Sequence, residues 1–237
     1  MTWSIIARDP QTGAFGVAVA TKFFAVGALV PYIESGIGAI ATQALVSPFY
    51  GIDGLIFLEN EIAPDEALRL MLENDEGRDQ RQVHMIDRHG RIGAHTGASC
   101  VDWCGHMTSQ GISLAGNMLA GPRVLDDTAA AYNANAALPF PRRLIAAMLA
   151  GEAAGGDKRG KQSAALLIYG EDEYPLLDIR VDDHAEPLAE LARLEAVSRE
   201  RFTHFRKAMA TRESPGLVDR EKLEIEMAKA IAAEGEG

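Results

Sequence analysis

The chain has 237 residues, 47% of them hydrophobic and 24% charged, with a formal net charge of -11. That balance excludes a disordered or fibrous protein, and it disfavours nonspecific binding to nucleic acid or to an anionic lipid surface, because phosphate contacts need clustered Lys and Arg. No apolar run approaches the roughly 20 residues of a membrane-spanning helix, and the start MTWSIIARDP lacks the basic region and apolar core of a signal peptide. The expected setting is cytoplasmic, where Cys100 and Cys104 would be reduced thiols. Their C-x3-C spacing has no partnered His or Cys pair, so neither a metal nor a cofactor is expected.

Taken in chain order, residues 3–8 and Phe15–Ala20 are short apolar runs flanking the turn Asp9-Pro10-Gln11-Thr12-Gly13, and predict a β-hairpin. Gly36–Gln43 predicts a glycine-rich strand. Leu55–Leu58 and Ala63–Asn74 are helical in pattern, with Pro64 in a first turn that tolerates it. Arg81–Asp87 and Arg91–His95 predict a second hairpin around Arg88-His89-Gly90, and Ile112–Met118 a further strand ending at Gly121-Pro122. Residues 123–133 and 141–154 predict helices. Ser163–Tyr169 and Leu177–Val181 form the last strand pair. From Pro187 a charged helical pattern runs to about 211. Beyond the break at Ser214-Pro215-Gly216, a final helix is expected over 218–233. Hairpin connections dominate, which favours antiparallel sheets covered by helices over a parallel doubly wound sheet.

Several residue groups could carry chemistry. Alternation along the first strand puts Thr2, Ser4 and Ile6 on one face. Thr2 is small enough for removal of the initiator Met, which would leave a hydroxyl and an α-amine on one residue. An α-amine with an ordinary pKa near 8 is a usable general base. The plainer reading makes Thr2 a β-former at a frayed start. The run Gly155-Gly156-Asp157-Lys158-Arg159-Gly160-Lys161-Gln162-Ser163 sets three cations, an amide and a hydroxyl between glycines. It could bind a carboxylate or stabilise an oxyanion, or it is a solvated basic turn; it lacks the order of a P-loop. Asp182, Asp183 and His184 end a strand and suit acid–base work or helix capping. His95 and Gly116-Asn117 also end strands and could line a cleft.

The opening TWSIIARDPQTGAFGVAVATKFFAVGALVP, then GIGAIATQA, AHTG, GN-x-LAG, GEAAGGDKRGKQSAALL and RVDDH, resemble the bacterial family known as domain of unknown function 1028, in order from residue 2 to about 195. The resemblance implies an N-terminal-nucleophile hydrolase fold: α+β, a four-layer αββα sandwich of two mainly antiparallel sheets. It also implies a chemistry, in which the first residue of the mature chain attacks an amide carbonyl and its own α-amine takes the proton. On that basis Thr2 is expected as nucleophile and base, with Ser4 the fallback hydroxyl. Lys22 or Lys158 would lower the nucleophile's pKa, and Asn117, Gln43 or Ser163 would supply oxyanion donors. Arg159 would hold a substrate carboxylate, with His95, Gln162 and Asp182 lining the site. The expectation is an Ntn-type amidohydrolase acting on a small carboxylate-bearing molecule; the alternative is a catalytically silent binding protein of the same fold. Residues 1–195 would form the hydrolase-like domain. Residues 196–237 would form a helical extension suited to a homodimer seam.

Overall fold

The structure is a computed structural model that describes residues 2–215 and 219–235. Two compact units divide the chain, Met1–Leu191 and Ala192–Gly237. In the first, six strands form one antiparallel sheet. They are β1 (Thr2–Arg8), β2 (Phe15–Thr21), β7 (Gly105–Ser109), β8 (Ile112–Asn117), β9 (Ser163–Tyr169) and β10 (Pro175–Val181), in the order β10-β9-β2-β1-β8-β7. A second antiparallel sheet has the order β3-β4-β5-β6, from β3 (Pro31–Glu34), β4 (Gly38–Ala44), β5 (Arg81–Asp87) and β6 (Ile92–Thr96). Helices α3 (Arg123–Ala134) and α4 (Phe140–Ala153) cover the outer face of the six-stranded sheet. Helices α1 (Phe49–Glu59) and α2 (Pro64–Glu73) cover the four-stranded one, and the two sheets pack face to face. The fold is therefore α+β, helix–sheet–sheet–helix, as the sequence led one to expect.

Both hairpins form over nearly the expected residues. Two strands, both at sheet edges, escape the sequence pattern. β3 is four residues long and opens on Pro31, and proline within a sheet is confined to edges. β7 reads GHMTS, with no buried residue and no apolar alternation. Helix α1 starts six residues before the predicted Leu55, because Gly51 and Gly54 look like breakers in sequence. In the structure they are contact points: a Cβ at Gly51 would lie 2.3 Å from the Tyr32 ring, and one at Gly54 2.6 Å from Ile40.

β1 is buried on both faces. Trp3 turns toward α4, where a Cβ on Gly151 would fall 2.9 Å from its indole nitrogen. Ile6 turns inward to join Val17, Val19, Ile33, Ala39 and Ile86 in the apolar part of the layer between the sheets. The second unit holds the end of α5 (Pro187–Glu200), α6 (Phe202–Arg206) and α7 (Arg220–Gly235). There the Arg201 guanidinium meets both carboxylate oxygens of Glu224 at 2.8 and 2.9 Å. The helix expected to run from Pro187 to about 211 breaks after Glu200. The expected start of the final helix, at 218, lies outside the described residues, as does Met1. Among the described residues no helix is long and apolar enough to cross a membrane.

Candidate active site

Thr2 begins β1, a strand flanked on both sides within the six-stranded sheet. Its register partner on β8 is Asn117, and its hydroxyl donates to Thr21 Oγ1 of β2 at 3.3 Å. Thr2 is 7% exposed and Asn117 2%. Facing them from the other sheet are the buried amides of Gln43 on β4 and Gln82 on β5.

The orientation of every group in this layer follows from two backbone carbonyls. The Gln82 Nε2 sits 3.0 Å from the Gly105 carbonyl and 2.8 Å from that of Gly116, with Thr96 Oγ1 at 2.9 Å. Carbonyls only accept, so this atom is the amide nitrogen. The Gln82 oxygen therefore points back, and accepts from Asn117 Nδ2 at 2.9 Å and Gln43 Nε2 at 2.8 Å. With its nitrogen so placed, Gln43 also donates to the Thr2 carbonyl at 3.4 Å, and its oxygen faces Ser4 Oγ at 2.7 Å. Ser4 must then donate its proton to Gln43. Its contact with His84 Nε2 at 2.8 Å consequently has the imidazole as donor, leaving His84 Nδ1 to accept from Ser113 Oγ at 2.9 Å.

These donor directions exclude one role for the pair Ser4–His84. Serine and histidine at 2.8 Å resemble a nucleophile and its base, but here the histidine donates to the serine. Both residues are fully buried. Burial, reinforced by the nearby His106, pushes His84 down to about 3, so the ring is neutral at ordinary pH. As the fallback nucleophile, Ser4 is thus corrected: its hydroxyl is enclosed and engaged on both sides.

The glycine loop after α4 runs past the ends of β2 and β8, which flank the start of β1. Asp157 forms an isolated bridge with Leu119 on one side and accepts the Lys22 N–H at 2.7 Å on the other, while the Gln162 N–H reaches the Thr21 carbonyl at 3.0 Å. Gly155, Gly156 and Gly160 all have positive φ, which lets the loop turn this tightly. Among the described residues four non-glycine residues also have positive φ, Ala25, Ala44, Glu61 and Met118, and two of them adjoin the polar cluster. Ala44 (φ 67) directly follows Gln43, and Met118 (φ 54) directly follows Asn117. Strained backbone flanking a buried polar cluster points to a functional site.

The other expected site residues fall into two groups. Exposed Lys22 and Lys158 donate to backbone carbonyls, Lys22 Nζ to Lys161 at 3.1 Å and Lys158 Nζ to Asp102 at 2.6 Å. Neither faces a carboxylate among the described residues. The rest are engaged structurally. Arg159 pairs with buried Asp157 at 3.2 Å, so it braces the loop rather than presenting an open guanidinium. Ser163 donates to the Phe23 carbonyl at 2.5 Å and accepts the Val26 N–H at 3.1 Å, which uses its hydroxyl to hold the loop after β2 and removes it as an oxyanion donor. Gln162 donates to Asp183 at 3.1 Å, and Asp182 pairs with Arg180 at 2.8 Å. His95 faces the Arg78 carbonyl at 3.0 Å, away from Thr2's partners.

Gln82, His84, Ser113, Thr21 and Asp157 were not singled out from sequence. The available signal was polarity at alternate positions, Gln82 and His84, in a strand whose remaining residues are largely apolar. A pocket of about 70 Å³, touching Trp3, Ala20, Thr21, Gly156 and Lys161, lies on the α4 side of the same strand ends. Cys100 and Cys104 are free thiols in the loop beside Arg81. Burial pushes both above the usual thiol range. Among the described residues no group of three or more His, Cys, Asp or Glu side chains could hold a metal ion.

These features define a double-sheet α+β protein with a polar site at the start of a central strand. The chain belongs to the family of unknown function DUF1028, whose model matches residues 2–191. It is similar to the crystal structure of protein SPO2555 from Silicibacter pomeroyi, a DUF1028 protein, at 33% identity and a TM-score of 0.85. That match covers 92% of this chain and 95% of the other. Anbu (ancestral beta-subunit) from Yersinia bercovieri matches at 11% identity and a TM-score of 0.39, over 91% of this chain and 99% of that one. No curated protein matches.

Proposed function

We propose that this chain is an N-terminal-nucleophile hydrolase that cleaves an amide bond in a small carboxylate-bearing substrate, with Thr2 as nucleophile after removal of Met1. The observation that carries the proposal is the setting of Thr2. It starts a flanked strand with its carbonyl held by the Gln43 amide, and with the Thr21 hydroxyl and the Asn117 amide on the neighbouring strands.

In this reaction the Thr2 oxygen attacks the substrate carbonyl carbon and its proton passes to the free α-amine. Asn117 Nδ2 gives one N–H to Gln82, and its second N–H suits the developing oxyanion. Collapse of the tetrahedral species expels the amine product, which takes the proton from the α-ammonium. Water, deprotonated by the same α-amine, then hydrolyses the acyl–threonine ester and restores Thr2. The carboxylate preference rests on Lys22 and Lys158, whose charges no carboxylate offsets among the described residues.

The 7% exposure of Thr2 favours a second reading, a protein that binds such a ligand without turning it over. Intact-mass spectrometry combined with a panel of N-acyl amino acids separates the two. The hydrolase reading expects a chain lacking Met1, turnover of at least one amide, residual turnover in Thr2→Ser and none in Thr2→Ala. Retained Met1, or undiminished turnover in Thr2→Ala, contradicts it. Saturable binding without turnover establishes the second reading.

A further inference from the structure

Helix α1 is apolar on both sides. Of its eleven residues only Asp53 and Glu59 are charged. One face, Tyr50, Gly51, Gly54 and Leu58, is buried against the four-stranded sheet. The other face exposes Phe49 (66%), Ile52 (48%) and Ile56 (53%), spaced so that they form one row along the helix. Leu45, 55% exposed, lies in the segment leading into it. A helix that is hydrophobic all round is normally covered all round.

Beside this row lies a groove of about 530 Å³, with Phe49 and Phe57 of α1 on one wall and Leu70 and Met71 of α2 on the other. Its polar floor is already satisfied: the Tyr50 hydroxyl donates to Asp75 at 2.9 Å, and Asp75 pairs with Arg81 at 2.9 Å.

We propose that a second copy of this chain covers the face, the two α1 helices packing about a twofold axis with the Phe49–Ile52–Ile56 row of each copy against the groove of the other. Three observations favour a second copy over another occupant. The same patch both projects and recedes, as a self-complementary surface must. A chain of charge -11 approaches its copy most easily through a face poor in charge: none of Phe49, Ile52 and Ile56 is charged, and in the groove beside them Asp75 is paired with Arg81, leaving Asp53 as the charge to be accommodated. The exposed parts of Leu45, Phe49, Ile52 and Ile56 come to roughly 400 Å², about half of what one partner buries in a standard interface before the groove walls are added.

Sedimentation velocity across micromolar concentrations tests this on the full chain. The wild type should be a dimer. Ile52→Glu and Ile56→Glu should each weaken association by roughly a hundredfold or more, with unchanged circular dichroism. Phe49→Ser, at a more exposed position, should act in the same direction and serves if either Glu variant misfolds. Val197→Glu and Ile231→Glu, on exposed positions of the C-terminal helices, should leave the dimer intact. A monomeric wild type overturns the proposal, as does a dimer that survives the α1 variants or one lost only in the C-terminal variants.

Discussion

The layer between the two sheets has two halves built on the same strands with opposite chemistry. Along β1 the inward face changes from Thr2 and Ser4 to Ile6, and along β5 from Gln82 and His84 to Ile86. On one side of that change Ile6, Val17, Ile33 and Ile86 pack as an ordinary apolar core. On the other, six buried polar side chains from four strands form a directed set of hydrogen bonds. Burying polar groups costs free energy unless each finds a partner, so stability alone would favour extending the apolar half. The polar half instead fixes the geometry around Thr2.

The contrast can be broken by substitution. The largest effect should come from Gln82→Leu, which leaves Asn117 and Gln43 donors without their acceptor and two carbonyls without their donor. At about 1–3 kcal/mol for each buried unpaired group, the loss should be about 4 kcal/mol or more in urea unfolding. A loss below about 1 kcal/mol would show that the network is not closed as described. In the apolar half, Ile86→Ala should cost about 3 kcal/mol through the cavity it opens, while the reactivity of Thr2 stays the same.

The pH dependence sharpens the same contrast. His84 is held near 3 in the fold and titrates near 6.5 when unfolded, so the unfolded state binds the extra proton between those values. Stability should therefore fall as pH drops from about 6.5 toward 3, with this residue contributing up to about 1.4 kcal/mol per pH unit. His84→Gln should flatten that part of the profile even though it lowers stability at neutral pH. The smallest effects belong to the exposed cations. Lys22→Gln and Lys158→Gln should change stability by less than about 0.5 kcal/mol. Each should raise KM for a carboxylate substrate by roughly three- to tenfold, with kcat nearly unchanged.

Most of the fold was legible because apolar runs and turn residues mark strands that are buried on both faces. β3 was hidden because it is four residues long and opens on proline, and β7 because GHMTS has no apolar alternation. The start of α1 was hidden because Gly51 and Gly54 signal a break locally and a close approach in the fold. The site was legible in part: the residue pattern gave Thr2 and Ser4, and the family resemblance added Asn117 and Gln43. Thr2 and Ser4 follow from alternation, but Gln43, Gln82, His84 and Ser113 come together only when two sheets stack, and no local spacing encodes that. The cationic loop was visible as a feature. Which of its charges are neutralised was not, because that depends on where Asp157 and Glu152 fall in space.

Covalent trapping tests the assignment of Thr2 most directly. After incubation at neutral pH with a β-lactone that acylates threonine, peptide mapping should find one adduct, on the hydroxyl of an N-terminal Thr2. None should appear on Ser4, and none in Thr2→Ala. An unlabelled Thr2 in a chain that still turns over substrate, or an adduct on another residue of a chain that keeps Met1, would contradict the account.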